Sequence, residues 1–341
     1  MLAHGGNLSV AAKEYDIPED QWLDLSTGLN PAAWPIQQPI PAKYLTRLPY
    51  PDQDLQQAAN SYYGTQNILP IAGSQAAIQV LPQVIKPSSI AVPAIGYEEH
   101  RYHWQKNGHQ LRPYNPYHDD LLAITQQYQP DIILVINPNN PTGHLHSQKL
   151  MFDLLKTVES YGGLLIIDEA FMDATPQNSL STHDSDSLII LRSMGKFFGL
   201  PGIRTGFVIA NQHWRDRIES ALGPWALSGP SQWIATQCLN DKQWQAQAIT
   251  FLKQQSAQQA SLLSNEFSRL GIKNIDSTDY FSSFLIKKRI ADRISDHLGQ
   301  QGILIRKIEL DDQHSLLRFG LCANDTELAR LQKALSCLSL P

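Results

Sequence analysis

LIILRSMGKFFGLPGIRTGF, residues Leu188 to Phe207, decides how the chain is read, because it sets a lone lysine between an apolar run and a glycine-rich turn. The run Leu188 to Leu191 predicts a buried strand, Ser193 to Gly202 an irregular turn, and Arg204 to Ala210 the next strand. A lysine held in such a turn can be desolvated, which favours the neutral amine and lets it condense with an aldehyde. Arg204 follows Lys196 by eight residues and supplies a planar fork of donors suited to a phosphate, with the Ser193 hydroxyl beside it. Alone, Lys196 is weak evidence, since most lysines are solvated surface residues.

The flanking sequence extends the pattern. From Ile90 onward the apolar runs IAVPAI, HQLRPY, DIILVI, GGLLIIDEAF, LIILRS and RTGFVIA alternate with helical stretches, among them Tyr97 to Asn107 and Ser147 to Tyr161. Short apolar strands separated by helices predict an α/β fold, a mostly parallel sheet sandwiched by helices. In such sheets ligands gather at the carboxyl ends of the strands. Three polar sets fall there: NPNNPTG (Asn137 to Gly143), DEAF (Asp168 to Phe171) and the lysine turn. Beyond Gly223 comes a glutamine-rich helical region, Gln232 to Leu270, then the strands YFSSFLIKK, GILIRKI and SLLRFGL and a last helix from Asp325 to Cys337. The expected organisation is an N-terminal segment (1–42) packing with a smaller α+β domain (224–341), and a large cofactor-binding domain (43–223).

Asp168 closes the apolar run Leu164 to Ile167, so its carboxylate ends a buried strand, where an unpaired charge is costly. A pyridinium nitrogen is a cation that would meet it; a helix cap or a structural salt bridge is the plainer reading. IAGSQAAIQVLPQVI, Ile71 to Ile85, places a Gly-Ser turn at the start of an apolar helix, where free amides and the positive end of the dipole seat a phosphate. With Ser193 and Arg204 forming a second phosphate feature, the expected cofactor is pyridoxal phosphate. Lys196 takes its aldehyde, Asp168 its ring nitrogen and Asn140 its phenolic oxygen.

Two further stretches offer ligand groups. In HGGN (His4 to Asn7) and LDLSTGLNP (Leu23 to Pro31), glycines 5, 6 and 28 let the backbone approach a ligand, and His4 and Asn30 present polar tips to an anion, although an ordinary capped turn uses the same residues. In RLPYPDQDLQQAANSYYG, Arg47 to Gly64, Tyr50 stands between prolines ahead of a helix capped by Asp52. Composition bounds the rest. The 341 residues are 42% hydrophobic and 17% charged, enough for a sizeable core, and a net charge of -5 offers no basic stripe for nucleic acid or membrane. Cys238, Cys322 and Cys337 are odd in number and widely spaced, with no CxxC pair, which argues against a disulfide framework or a zinc site. His144 and His146 lack the partners of a metal site, so no metal is expected. No leader or membrane-spanning run stands out, and a cytoplasmic location is expected.

Through GSQAAI, NPNNPTG, DEAF, SMGKFFGLPGIRTG and a late LLRFG, the chain resembles the aspartate-aminotransferase fold family of pyridoxal-phosphate enzymes along nearly its whole length. The resemblance implies Lys196 on the cofactor aldehyde, Asp168 on the pyridinium, Asn140 on the phenolic oxygen, and Ser193, Arg204, Gly73, Ser74 and Gln75 on the phosphate. It implies that Tyr50 reaches the phosphate bound by a partner subunit, hence a homodimer with active sites at the subunit interface. It places His100, or in second place Tyr97, against the ring face, and makes Arg318 a bidentate clamp on the substrate α-carboxylate.

Within that family, HGGN, STGLNP and Phe171, where aminotransferases usually carry tyrosine, look more like the threonine-phosphate decarboxylases of cobalamin synthesis than the histidinol-phosphate aminotransferases. The first subgroup implies decarboxylation of L-threonine O-3-phosphate, a small phosphorylated amino acid, with His4, Gly28, Asn30 and Arg306 near the substrate phosphate and Asn140 also near the substrate. The second is the alternative. A ligand-sensing module without catalysis is a third reading, but the chain has no basic recognition helix. Two departures from the family pattern stand out. Gly195 replaces the serine or threonine of many relatives, removing a hydroxyl donor worth about 1 kcal/mol, and Phe171 removes a phenol from the cofactor oxygen.

Overall fold

Every apolar run quoted above forms a strand, and the computed structural model, which describes residues 5–272 and 276–338, sorts the strands into two sheets. The chain first lays down the short strand β1 (Leu23–Leu25). Seven strands then build the larger sheet: β2 (Ile68–Ile71), β3 (Ser89–Pro93), β4 (Gln110–Tyr114), β5 (Ile132–Ile136), β6 (Leu164–Asp168), β7 (Leu188–Ser193) and β8 (Gly206–Ala210), in the order β2-β8-β7-β6-β5-β3-β4. Four strands follow, β9 (Asp276–Ser277), β10 (Phe281–Lys287), β11 (Ile303–Glu309) and β12 (His314–Gly320), and with β1 they make a sheet ordered β1-β11-β12-β10-β9.

The larger sheet is parallel from β4 through β7, while β8 runs antiparallel to both β7 and β2. The reversal has a simple cause. A parallel return needs a crossover, usually a helix of a dozen or more residues, and the lysine turn between β7 and β8 holds only the short helices Met194–Phe197 and Pro201–Ile203. The irregular turn expected from Ser193 to Gly202 is therefore partly helical. The strand expected from Arg204 begins only at Gly206, because Arg204 adopts the left-handed conformation.

Strands β5, β6 and β8 are buried at every position, as a sheet covered on both faces requires. On one face Ile78, Leu81 and Trp104 pack onto Ile90, Ile132, Leu134, Ile166, Leu191 and Val208. Each such side chain contributes on the order of 1.5–3 kcal/mol on burial. The helix Gln53–Tyr63 is capped as the sequence indicated, with Asp52 accepting from the Asp54 amide at 2.9 Å. The glutamine-rich region is two helices, Gly229–Asn240 and Lys242–Arg269, broken at Asp241, whose carboxylate accepts from the Trp244 amide and the Trp34 indole, each at 3.0 Å.

The chain divides into two compact units. One comprises Met1–Ala32, Pro141–His144 and Gln247–Pro341, and the other Ala33–Asn140 and Leu145–Ala246. In the first, β1 pairs in parallel with β11, and Phe267 stacks on Phe284 at 4.0 Å in a core that includes Leu25, Ile305 and Phe319. The helix Lys288–Gln300 joins that core through Ala291, Ile294 and Leu298, which recur at helical spacing in a charged sequence. The second unit contains the larger sheet and the lysine turn. Among the described residues, no helix is long and apolar enough to cross a membrane.

Candidate active site

The carboxyl ends of β6 and β7 and the first turn of the helix Ser74–Val84 enclose a cavity in the second unit, lined by Gly73, Ser74, Gln75, Tyr97, Asn140, Asp168, Phe171, Ser193, Lys196 and Arg204. Nine residues expected at the site, scattered from Gly73 to Arg204 in sequence, thus meet around one space. Lys196 is half-buried on its short helix, with Nζ 5.4 Å from the centroid of the Phe171 ring. That phenylalanine offers the amine a π face in place of a hydroxyl. The lysine helix is clamped by aromatics, since Phe197 and Phe198 are fully buried and Phe198 stacks on Trp244 at 5.5 Å.

Asp168 is 3% exposed. One carboxylate oxygen accepts from the Ala170 amide at 3.0 Å and the other meets His100 Nε2 at 2.9 Å. His100 is thereby committed to Asp168, and the aromatic ring that lines the cavity is that of Tyr97. The NPNNPTG turn is tied to the same strand end, because the Asn137 amide donates to the Asp168 carbonyl at 2.8 Å. The Asn137 side chain also bridges to the His146 backbone, accepting at 2.9 Å and donating at 3.2 Å. These bonds set Asn140 at the cavity wall.

The turn ahead of the helix Ser74–Val84 packs closely on Arg204 and Gly206. Gly73 has φ +75°, and a Cβ there would stand 3.0 Å from an Arg204 guanidinium nitrogen. Arg204 is itself left-handed at φ 49°, a strained conformation for an arginine and one typical of ligand sites. Gly206 was not singled out by the sequence, yet a Cβ on it would lie 2.6 Å from the Ser74 nitrogen and 2.7 Å from the Arg192 carbonyl oxygen. Gly206→Ala is expected to cost about 1–3 kcal/mol in urea unfolding through overpacking and to weaken phosphate-ligand binding; unchanged stability and binding would contradict the close approach. At Gly195 a Cβ would stand 3.0 Å from Pro201 Cα, so the hydroxyl-bearing residue of many relatives does not fit without a shift.

Beneath the cavity lies a charge cluster that the sequence reading did not identify. Arg192, immediately before Ser193, donates to Glu169 at 2.6 Å and also pairs with Asp173, and Ser179 donates to Glu169 at 2.5 Å. Arg192 also lies over the Tyr63 ring, 4.9 Å from its centroid. Burial raises both carboxyl groups above their usual range, opposed by Arg192. Burial pulls the guanidinium down, but the two carboxylates hold it well above its ordinary value. The cluster ties the residue after Asp168 to the residue before Ser193. A glutamate directly after the strand-end aspartate and an arginine inside the run LIILRS were its only signals.

Tyr50 is not part of this cavity. It is 69% exposed and edge-on to Trp225 at 6.1 Å. In the first unit, Arg318 is buried, donates to the Ser26 carbonyl at 2.6 Å and lies 5.2 Å over the Phe281 ring. It stands directly opposite Arg306 across the β11–β12 pair. Burial and then Arg306 push the Arg318 pKa down to about 10, with Asp24 opposing; burial also lowers that of Arg306. Gly28 and Asn30 are buried, with Asn30 accepting from the Ala32 amide at 3.0 Å. The Gly6 amide donates to Ser26 Oγ at 2.7 Å, joining the HGGN and STGLNP stretches. His4 lies outside the described residues.

An amine, a buried carboxylate, an arginine fork and a helix N-terminus around one cavity fit a planar cofactor that bears an aldehyde, a basic nitrogen and a phosphate. Comparison with known proteins agrees. The model of the family described as aminotransferase class I and II matches residues 42–335. The chain is 41% identical to a threonine-phosphate decarboxylase of Pseudomonas aeruginosa, over 98% of this chain and 97% of that one. It is 34% identical to a threonine-phosphate decarboxylase of a Sinorhizobium species, over 99% of each. Among solved structures, a histidinol-phosphate aminotransferase from Sinorhizobium meliloti, in complex with pyridoxal-5'-phosphate, matches with a TM-score of 0.81 at 19% identity, over 98% of this chain and 94% of that one, and shows the shared fold.

Proposed function

We infer that this chain, which belongs to the aminotransferase class I and II family, is a pyridoxal-phosphate enzyme that decarboxylates L-threonine O-3-phosphate. The product is (R)-1-amino-2-propanol O-2-phosphate, a building block of cobalamin synthesis. The observation that carries the reading is the full-length likeness to two threonine-phosphate decarboxylases. Arg306 stands directly against Arg318. Like charges facing across a strand pair destabilise it, and a substrate bearing both a carboxylate and a phosphate offsets that repulsion.

Pyridoxal phosphate, when bound, supplies an electron sink for the pair released at the substrate α-carbon. The chain supplies the rest. Lys196 holds the cofactor through its amine and, once freed, is the acid that delivers a proton to the α-carbon. Asp168, oriented by His100, keeps a proton on the ring nitrogen. The Gly73–Ser74 turn, Gln75, Ser193 and Arg204 hold the cofactor phosphate, Asn140 the phenolic oxygen, and Tyr97 the ring face. Arg318 takes the substrate carboxylate, and Arg306, Gly28, Asn30 and His4 serve its phosphate. Two anchors fix the rotation about the nitrogen–α-carbon bond, and that rotation decides whether carbon dioxide or the α-hydrogen leaves.

The exposed pair of Tyr50 and Trp225 is covered by a second copy, which brings Tyr50 to the partner's cofactor phosphate. The three cysteines are free, which suits the reducing cytoplasm. The purified enzyme is expected to consume L-threonine O-3-phosphate without a keto-acid acceptor and to sediment as two chains. Consumption of histidinol phosphate that requires 2-oxoglutarate would instead establish the aminotransferase, and a one-chain mass would remove Tyr50 from the site.

A further inference from the structure

We infer that Gln75, Glu99 and His103 form a hydrogen-bonded string that positions the Tyr97 ring against the cofactor and couples it to the phosphate turn. The inference rests on the cavity reading above. Tyr97 Oη donates to Gln75 Oε1 at 3.1 Å, and Gln75 Nε2 donates to Glu99 Oε2 at 2.9 Å. His103 Nε2 meets that same carboxylate oxygen at 3.2 Å, so this nitrogen carries the proton. Glu99 and His103 are one helical turn apart on the helix Glu98–Lys106, with side chains only 14% and 12% exposed. Gln75 sits in the first turn of the helix Ser74–Val84, beside the phosphate seat.

The carboxylate sets the direction of the whole string. Turning the Gln75 amide over would point its oxygen at the Glu99 carboxylate, so Glu99 holds the amide with Oε1 toward Tyr97 and makes the phenol the donor. The phenol is kept protonated for that task. Burial first, then the charges of Glu99 and Asp168, push its pKa up to about 12, with Arg204 opposing. On its other side the Tyr97 ring meets His100 edge-on at 6.3 Å, and His100 bonds Asp168. One aromatic ring is thus held between the phosphate turn and the strand-end carboxylate. With both ends of its amide so engaged, Gln75 serves the phosphate through its backbone, and its side chain acts on Tyr97.

The test is a double-mutant cycle on cofactor binding. Glu99→Ala and Tyr97→Phe are each expected to weaken pyridoxal phosphate binding about three- to tenfold and to change the visible circular dichroism of the bound cofactor. The double variant is expected to bind no worse than the weaker single variant. Melting of the cofactor-free variants checks the fold. Should Glu99→Ala not fold, His103→Ala replaces it in the same cycle. Additive losses, or a Glu99 variant with wild-type affinity and dichroism, would overturn the string. Borohydride reduction of the wild type separates the two readings: a label on Lys196 with an additive cycle rejects the string alone, and a label elsewhere rejects the cavity.

Discussion

Lys196→Ala is expected to lower turnover by about 10³-fold or more while leaving the protein folded and able to take up pyridoxal phosphate. The size follows from the double duty given to this one amine. In the proposed function it holds the cofactor before the substrate arrives and delivers a proton to the α-carbon afterwards, and among the described residues that line the cavity it is the only lysine. The fold is spared because the clamp on the short helix is made by its neighbours. Phe197, Phe198 and Trp244 keep their contacts, while the approach of Nζ to the Phe171 ring is lost. Single-turnover kinetics and mass spectrometry after borohydride reduction check both halves: no cofactor fixed to the protein, and no burst of product. Retained turnover would move the chemistry away from Lys196.

Arg192→Met is the second change with a large expected effect, this time on stability. Arg192, Glu169 and Asp173 are each about 2% exposed or less, so removing the guanidinium strands two carboxylates in the interior. Breaking a buried pair in this way costs about 3–5 kcal/mol. Glu169→Gln and Asp173→Asn in the same chain are expected to recover much of the loss, because neutral amides carry a smaller desolvation penalty. The deficit also has a sign with pH. Burial already sets the folded-state pKa of both carboxyl groups above the unfolded value, and without Arg192 nothing opposes it as strongly. The folded variant then binds more protons than its unfolded chain, so its stability rises as pH falls toward those raised values. Urea unfolding at pH 5 and pH 8 measures the slope; a variant less stable at the lower pH would contradict the buried cluster.

Much of this was legible in the sequence, for reasons that can be traced to single residues. Lys196, Asp168, Asn140 and Arg204 follow strands or precede turns, so the alternation of apolar runs that predicts the sheet also predicts that they share its carboxyl edge. Arg192 and Glu169 were not legible. Each lies inside a run read for its apolar members, and only the parallel register of β6 with β7 brings them together. Gly206 reads as one more glycine in RTG, and its role appears only when the Gly73–Ser74 turn is seen against its Cα. His100 and Tyr97 lie three residues apart on one turn, and the sequence does not say which ring faces the cavity. In the structure His100 bonds Asp168 and Tyr97 lines the cavity. The reversal of β8 was implicit in a turn too short for a crossover.

The most direct test of the central claim is to follow the carboxyl carbon and the α-hydrogen of L-threonine O-3-phosphate through one reaction in deuterium oxide, with no keto acid present. The account predicts one carbon dioxide released per amine formed, and a product that keeps its original α-hydrogen beside one deuteron gained from solvent. Loss of the α-hydrogen with the carboxylate retained, in a reaction that proceeds only when 2-oxoglutarate is added and yields glutamate, would contradict it.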